Sequence, residues 1–151
     1  MESVFTKRGV LMQRTLGIVK PLTNHHAKDI LAIALAEGFR VTNLRKLTLQ
    51  PASVREFYAE HWNKPWFEDL VDHMASGPVT IFVLEHEDAV AKWRKLIGST
   101  DPSKADPDTI RWRFSREETG PRNVIHGSDS LESAEREIKF MFAGVNFGII
   151  E

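Results

Sequence analysis

The sequence predicts an α/β protein of the α+β sandwich type, with a ferredoxin-like βαββαβ order and a four-stranded antiparallel sheet covered by helices. Three observations predict it. Short β-rich runs alternate with amphipathic helical patterns, one run is apolar throughout as in a buried strand, and only residues 98–121 lack periodicity. The resulting order is strand, helix, strand, helix, helix, strand, helix, loop, strand, helix.

The first strand and the first helix are bounded by residues that stop regular structure. Residues 15–20 form a short β-rich run that ends at Pro21, which cannot donate a hydrogen bond within a sheet. Asn24 can cap the helix that follows it, and Gly38 is placed just past the end of that helix. Residues 39–49 then alternate imperfectly between apolar and polar side chains, which predicts the second strand.

The central part of the chain predicts two short helices, a buried strand and a further helix. Residues 53–60 form the first of these helices, and residues 66–75 carry apolar side chains at helical spacing. Residues 79–84 are continuously apolar, and residues 88–97 return to helical spacing. Residues 98–121 are predicted to be a long loop with at most a short helix, and a loop of that length in a compact domain is usually functional.

Composition and charge exclude several classes of protein. The chain has 151 residues, of which 42% are apolar and 27% are charged, as in an ordinary globular domain. Its 20 basic and 21 acidic side chains provide no general attraction for nucleic acid or an anionic membrane, so a nucleic-acid partner is not expected. The lack of cysteine excludes disulfides, zinc–thiolate sites and cysteine nucleophiles. No apolar run reaches the roughly 18 residues of a membrane span, so no membrane partner is expected.

The chain is predicted to hold a single domain over residues 15–151, large enough to bury its own core. Residues 1–14 contain three basic side chains but no apolar segment typical of a secretory signal. We expect them to form an N-terminal lead-in without regular structure, with a weak organellar presequence as the alternative.

A lone histidine marks the predicted functional site. Residues 123–126 form a short strand that ends at His126, and a tight turn then leads into a helix over residues 130–142. Glu137 lies about two helical turns after Ser130, and helical side chains lean toward the N-terminus, so its carboxylate should point back at the turn. A carboxylate there can fix the tautomer of His126 and leave a ring nitrogen to attack phosphorus. From these residues alone, a core histidine hydrogen-bonded to a helix cap is the simpler interpretation.

The same stretch resembles, almost position for position, the active-site signature of the nucleoside diphosphate kinase family, N-x-x-H-G-S-D-S-x-x-S-A-x-x-E-I. The resemblance covers most of the chain and implies the same fold. It implies that His126 takes the γ-phosphate of a nucleoside triphosphate as a phosphohistidine and passes it to a nucleoside diphosphate in a ping-pong reaction. It further implies that Glu137 orients the histidine, that Ser128 lies within hydrogen-bonding reach, and that Asn123 contacts the nucleotide.

The resemblance also assigns side chains to the phosphates. Lys20 closes the first strand in a Val-Lys-Pro pattern, and Arg111 falls in a Thr-Ile-Arg pattern. Arg94 and Thr100 fall in the pattern R-x-x-x-G-x-T. Taken singly, each is more simply a strand end or a solvated side chain, but phosphoryl transfer needs such fixed charges and donors. No P-loop occurs in the sequence, so Mg²⁺ is expected to bridge the nucleotide's phosphates rather than to occupy a protein cage.

Residues 57–70 resemble the helical hairpin that clamps the base in this family. Tyr58 matches the tyrosine near the catalytic histidine, Trp66 the aromatic residue that stacks on the base, and Leu70 an apolar neighbour. An indole can stack on any base, which suits ATP and other nucleoside triphosphates and diphosphates alike. The alternative is that Trp66 packs in the core beside Phe67, but adjacent residues on a helix point in different directions, so one of the two should be exposed.

Departures from the family pattern keep a second function open. Trp112 and Asp108 stand where glycine is usual, and the bulky Trp112 is expected to reshape the nucleotide site or the contacts between subunits. The alternative is therefore a catalytically weak nucleotide-binding regulatory or scaffold protein on the same fold. The resemblance also implies a homo-oligomer, with a hexamer favoured over a tetramer or a dimer, and a cytoplasmic localisation with the mitochondrion as the alternative.

Overall fold

A computed structural model of the protein describes residues 3–99, 104, 106–115 and 124–143. These residues form one five-stranded antiparallel sheet with helices packed on both of its faces. The strands are β1 (Val4–Lys7), β2 (Val10–Val19), β3 (Arg40–Leu47), β4 (Val79–His86) and β5 (Ile125–Gly127). The α-helices are α1 (Ala27–Ala36), α2 (Pro51–Phe57), α3 (Phe67–Met74), α4 (Ala89–Ile97), α5 (Ile110–Phe114) and α6 (Leu131–Met141), with 3₁₀ turns at Pro21–His26 and Ala59–His61.

Strand β2 organises the sheet. It pairs with β4 along one side, and β3 pairs with the far side of β4. The other side of β2 is shared by β5, which pairs with residues 17–19, and by β1, which pairs with residues 10–13. Without β1 the order is β5-β2-β4-β3, all antiparallel, which is the ferredoxin-like arrangement predicted from the sequence. The predicted fold class is therefore confirmed, with β1 as a fifth strand.

The N-terminal segment belongs to the sheet, so the expectation of a lead-in without regular structure is wrong for residues 3–14. Strand β1 and the first half of β2 form a hairpin whose turn holds Arg8 and Gly9 at positive φ, 51° and 78°. Ser3 donates a hydrogen bond of 2.7 Å to the carbonyl of Leu131 at the start of α6. Strand β1 escaped prediction because cross-strand pairing and the contact with α6 stabilise it, and neither is visible in the local sequence.

The sheet separates two apolar clusters. On β4, Ile81 and Val83 face a cluster with α2, α3 and α6, whereas Phe82 and Leu84 face a cluster with α1 and α4. All four side chains are at most 1% exposed, which confirms the buried strand predicted in this part of the chain. Gly17 lies on β2 directly opposite Phe82, and a Cβ there would lie 2.3 Å from that ring, so the close approach requires glycine.

Of the two helix starts considered, that of α6 is capped by a side chain and that of α1 is not. Asn24 does not cap α1, because its amide oxygen accepts a hydrogen bond of 2.6 Å from the Thr80 hydroxyl and a 3₁₀ turn precedes the helix. Ser130 does cap α6, because its hydroxyl accepts from the Ser133 amide at 3.0 Å. Within the predicted loop of residues 98–121, the described part contains α5, a single short helix. The start of the helix that carries Glu137 is thus set locally, whereas the start of α1 depends on a contact with β4.

Candidate active site

A cleft of about 630 Å³ opens where the ends of β2 and β5 meet the hairpin of α2 and α3, with α4, α5 and α6 completing its walls. It gathers eight of the residues that the sequence assigns to the site: Lys20, Tyr58, Trp66, Leu70, Arg94, Arg111, His126 and Glu137. Ser128 is fully buried next to this cleft rather than on its surface. Thr100 and Asn123 lie outside the described residues, so their roles stay predictions.

His126 and Glu137 form the central pair of the cleft. Pairing of β5 with β2 places His126 opposite Ile18, and α6 then returns Glu137 toward the imidazole. The Nε2 atom of His126 lies 2.7 Å from Oε1 of Glu137, and both side chains are largely buried. A carboxylate at Nε2 favours the tautomer protonated on that atom, so Nδ1 keeps the free lone pair of the ring.

Ser128 ties this pair to the sheet. Its hydroxyl donates to Oε1 of Glu137 at 3.0 Å and accepts from the backbone N–H of Leu16 at 3.2 Å. One carboxylate oxygen therefore contacts both the imidazole and the hydroxyl. Because Ser128 and Glu137 are buried, the fold holds their orientation before any ligand arrives.

Two aromatic rings flank His126. The rings of Phe57 and Tyr58 meet the imidazole edge to face, with centroids 5.6 and 6.0 Å away. The Tyr58 hydroxyl is buried and has no hydrogen-bond partner among the described residues. Burial, followed by the nearby carboxylates of Glu137 and Asp129, raises the pKa of Tyr58 well above its ordinary value. Tyr58 therefore stays a neutral phenol, and its hydroxyl remains able to donate a hydrogen bond.

Arg111 is fixed in place by backbone carbonyls. Its Nη1 donates to Gly98 at 2.8 Å and its Nη2 donates to Ile125 at 3.2 Å. Gly98 has a φ of 93°, and a Cβ there would lie 2.6 Å from Thr109, so this turn requires glycine. Burial, followed by the charge of Arg94, lowers the pKa of Arg111, although an arginine stays charged near neutral pH. A partly desolvated, pre-positioned guanidinium of this kind suits an anionic ligand.

Two further cations reach the cleft. Arg94 lies on α4, and its Nη1 is 2.5 Å from Oδ1 of Asp129, with both side chains exposed to solvent. Lys20 follows β2 directly and is only 7% exposed, and its backbone N–H donates to the carbonyl of Val124 at 3.1 Å. Together with Arg111, these side chains concentrate positive charge in a chain whose overall charge is almost balanced.

The hairpin of α2 and α3 supplies an apolar wall of the cleft. Trp66 is partly buried and lines the cleft, whereas Phe67 is buried in the core at 6% exposure. The two neighbours point in different directions, as predicted, and Trp66 is the one that reaches the cleft. The ring of His61 lies against Trp66 with the centroids 5.3 Å apart, and Leu70 lines the same cleft.

Several residues of the cleft escape the sequence analysis. Four of them, on the hairpin or on α6, have side chains able to contact a ligand or another site residue, namely Phe57, Glu60, His61 and Arg136; Asp129, in the turn before α6, pairs with Arg94. Each lies within a few positions of a residue that is predicted, on the hairpin or on α6, and this proximity is the only signal the sequence offers. Phe57, Glu60 and Arg136 contact residues that are distant in the sequence, and no local pattern shows such contacts.

The described residues contain no group of three or more histidine, aspartate or glutamate side chains arranged to hold a metal ion. Two carboxylates of the cleft are instead engaged by other side chains, Glu137 by His126 and Asp129 by Arg94. None of the described helices combines the length and the apolar surface that a membrane span requires.

The chain as a whole is similar to known proteins of one family. A family model described as "Nucleoside diphosphate kinase" matches residues 13–147. The chain belongs to the nucleoside diphosphate kinase family. The family predicted from the signature around His126 is therefore confirmed.

Individual members of the family match nearly their whole length to this chain. A nucleoside diphosphate kinase from Nitratiruptor sp. is 46% identical over 136 residues, which cover 87% of this chain and 96% of the relative. One from Campylobacter concisus is 46% identical over 134 residues, with coverage of 87% and 96%. The crystal structure of the Aquifex aeolicus nucleoside diphosphate kinase matches with a TM-score of 0.82 at 41% identity, covering 88% of this chain and 96% of that one.

Two features stand out against the nucleoside diphosphate kinase pattern. The family match begins at residue 13, so β1 and the start of β2 precede it. Trp112 is 50% exposed on α5 and does not line the cleft. Trp112 therefore takes no part in the described walls of the cleft, and the other expectation, that it reshapes the contacts between subunits, stays a prediction.

Proposed function

We propose that the protein is a nucleoside diphosphate kinase that transfers the γ-phosphate of a nucleoside triphosphate to a nucleoside diphosphate, in a ping-pong reaction through phosphorylated His126. Membership of the family supports the reaction class, phosphoryl transfer. The assignment of residues rests above all on one observation, the 2.7 Å contact between His126 and Glu137 in a cleft that is also lined by four cationic side chains, Lys20, Arg94, Arg111 and Arg136.

In the first half-reaction, the Nδ1 lone pair of His126 attacks the γ-phosphorus. A bond forms between Nδ1 and phosphorus, the bond from phosphorus to the β–γ bridging oxygen breaks, and the nucleoside diphosphate leaves with that electron pair. Glu137, supported by Ser128, keeps the proton on Nε2 and balances the positive charge that develops on the ring. The second half-reaction reverses these steps with another nucleoside diphosphate as the acceptor.

The cations of the cleft balance the charge of the transferring group. Arg111, held by two backbone carbonyls, and Lys20, largely buried, act as fixed charges aimed at the phosphates. Arg94 exchanges its contact with Asp129 for a phosphate oxygen when the nucleotide enters. The neutral hydroxyl of Tyr58 adds a hydrogen-bond donor beside the nucleophile.

The base stacks on Trp66 beside Leu70. Stacking on an indole discriminates little between bases, so ATP and other nucleoside triphosphates serve as donors and nucleoside diphosphates as acceptors. Mg²⁺ would be held by the nucleotide rather than by a protein cage, since Glu137 and Asp129 are already engaged by His126 and Arg94, and it would supply further charge neutralisation for the transferring group. Thr100 and Asn123 are assigned to nucleotide contacts on the resemblance alone.

The alternative of a catalytically weak regulatory or scaffold protein is not favoured by the described part of the cleft. His126 and Glu137 are in contact, and Trp112 is not among the residues that line the cleft. The homo-oligomer, with a hexamer favoured over a tetramer or a dimer, and the cytoplasmic localisation stay predictions.

A labelling experiment tests the proposal. Incubation of the protein with γ-labelled ATP and Mg²⁺ is expected to produce an acid-labile, alkali-stable phosphoenzyme that passes its label to added nucleoside diphosphate. His126→Ala should abolish both the label and the turnover, whereas His25→Ala, a change at an exposed histidine outside the cleft lining, should leave both unchanged. Label that survives in His126→Ala would contradict the assignment of the nucleophile.

A further inference from the structure

Arg136 connects two parts of the cleft that the proposed mechanism treats separately. It lies on α6, and its Nη1 reaches the carbonyl of Phe57 on the hairpin at 3.4 Å. Its Nη2 lies 3.5 Å from Oε1 of Glu60, also on the hairpin, and 3.7 Å from Oε2 of Glu137. One guanidinium therefore contacts both the base-binding hairpin and the catalytic carboxylate.

The contacts continue from Glu60 to the stacking residue. The same Oε1 atom of Glu60 lies 3.4 Å from Nε2 of His61, and the ring of His61 lies against Trp66 with the centroids 5.3 Å apart. An unbroken series of contacts thus leads from the proposed stacking residue to Glu137, through Trp66, His61, Glu60 and Arg136.

The two oxygens of Glu137 have different partners. Oε1 contacts the imidazole of His126 and the hydroxyl of Ser128, whereas Oε2 faces Arg136. The two oxygens of an ionised carboxylate are equivalent, but a partial rotation or a shift of the group would take Oε1 out of contact with Nε2 of His126, and a cation on the Oε2 side opposes such a movement. The position of Arg136 therefore bears on how well Glu137 is aimed at His126.

We infer that Arg136 is a positioning residue that couples stacking of the base on Trp66 to the orientation of Glu137 at His126. A base stacked on Trp66 restricts the movement of the hairpin. The hairpin in turn positions the guanidinium of Arg136 through Glu60 and the Phe57 carbonyl, and the guanidinium then restricts the carboxylate of Glu137. This inference rests on the proposed function. Its consequence is that part of the binding energy of the base raises the rate of phosphoryl transfer rather than the affinity for the nucleotide.

A double-mutant cycle tests the coupling, because spatial proximity alone does not establish it. We expect Arg136→Ala to lower kcat about five- to tenfold while the nucleotide KM changes less than about twofold, since Arg136 affects the orientation of Glu137 toward His126 and not the binding of the nucleotide. Arg136→Lys should recover part of this loss. In the Arg136→Ala background, Trp66→Ala should cost at least about threefold less in kcat than in the wild type, because the connection is already broken.

Two further variants separate coupling from a local effect of the arginine. Glu60→Gln changes neither Arg136 nor Glu137 but weakens the contacts of residue 60 with Arg136 and His61, so the guanidinium is held less firmly at Glu137 and kcat should fall in the same direction. Lys139→Ala, which removes an exposed cation of α6 that pairs with Glu135, is the matched control and should change neither parameter.

The outcomes separate this inference from the proposed function. Losses for Arg136→Ala and Trp66→Ala that simply multiply, or a silent Glu60→Gln, would overturn the coupling in an enzyme that is otherwise active. A wild-type protein without transfer activity would instead contradict the proposed function.

Discussion

Replacement of Glu137 by glutamine tests the charge of the carboxylate that is proposed to orient His126. Oε1 of Glu137 contacts Nε2 of His126 at 2.7 Å and accepts from the Ser128 hydroxyl at 3.0 Å, and the residue is only 4% exposed. Glutamine has nearly the same shape and keeps a carbonyl oxygen that can accept both hydrogen bonds, while its amide nitrogen takes the place of Oε2 and gives up the contact with Arg136. Glu137→Gln therefore preserves the tautomer of His126 but removes the negative charge that balances the ring during phosphorylation.

The expected loss of rate follows from the difference in strength between a hydrogen bond to a charged group and one to a neutral group. A bond to a charged group contributes about 1.5–3 kcal/mol and a neutral one about 0.5–1.5 kcal/mol, so the difference at His126 is about 1–1.5 kcal/mol. Since about 1.4 kcal/mol corresponds to a tenfold change in rate, Glu137→Gln should slow phosphorylation of His126 about tenfold. Glu137→Ala removes both contacts to the carboxylate, at about 3 kcal/mol or more in total, and should slow the step by more than about a hundredfold.

Rapid mixing of each variant with labelled ATP, under single-turnover conditions, measures the step directly. Glu135→Gln is the control, because it neutralises a carboxylate of the same helix that pairs with Lys139 rather than with the histidine. Urea denaturation of the variants shows whether the fold is retained. Equal rates for Glu137→Gln and the wild type would refute the role of the charge, and equal rates for the glutamine and alanine variants would refute the role of the hydrogen bonds.

The remaining predictions concern packing and ionisation. Gly127→Ala places a Cβ 2.7 Å from Ile97 and 3.0 Å from Trp93, so we expect a loss of about 1–3 kcal/mol of stability. That loss would lower the melting temperature in thermal denaturation, and an unchanged value would contradict the close approach of β5 to α4. Tyr58 is the only tyrosine of the chain, and its raised pKa means that the unfolded chain releases the phenolic proton first. Its contribution to stability is therefore present below about pH 10 and is lost as the pH rises further. Ultraviolet difference spectroscopy should show phenolate only well above that pH, and an ordinary titration in folded protein would contradict the burial.

Several elements could be predicted because their signal is local. The apolar run of β4 reads as a buried strand, and its alternate side chains do enter the two clusters of the core. Ser130 caps α6 through a residue three positions away, and the lean of helical side chains brings Glu137 back to His126. The separation of Trp66 from Phe67 likewise follows from helix geometry.

Other features depended on partners far along the chain. Asn24 looks like a helix cap in the sequence, yet its oxygen accepts from Thr80 on another strand. The hydroxyl of Ser3 donates to the start of α6, a separation of 128 residues, and the β1 hairpin that it begins was not predicted. Arg136 carries no local sign of its contacts with Glu60 and the Phe57 carbonyl.

The sequence by itself determined the family, the order of most strands and helices, and the approach of Glu137 to His126, because short-range spacing and a signature of adjacent residues indicate each of these. Only the tertiary structure decided which ring nitrogen remains for the cleft, how the cations converge, and how the hairpin reaches the acid through Arg136. Those properties depend on distances between side chains that are remote in sequence, and such distances are set when the sheet pairs and the helices pack on it.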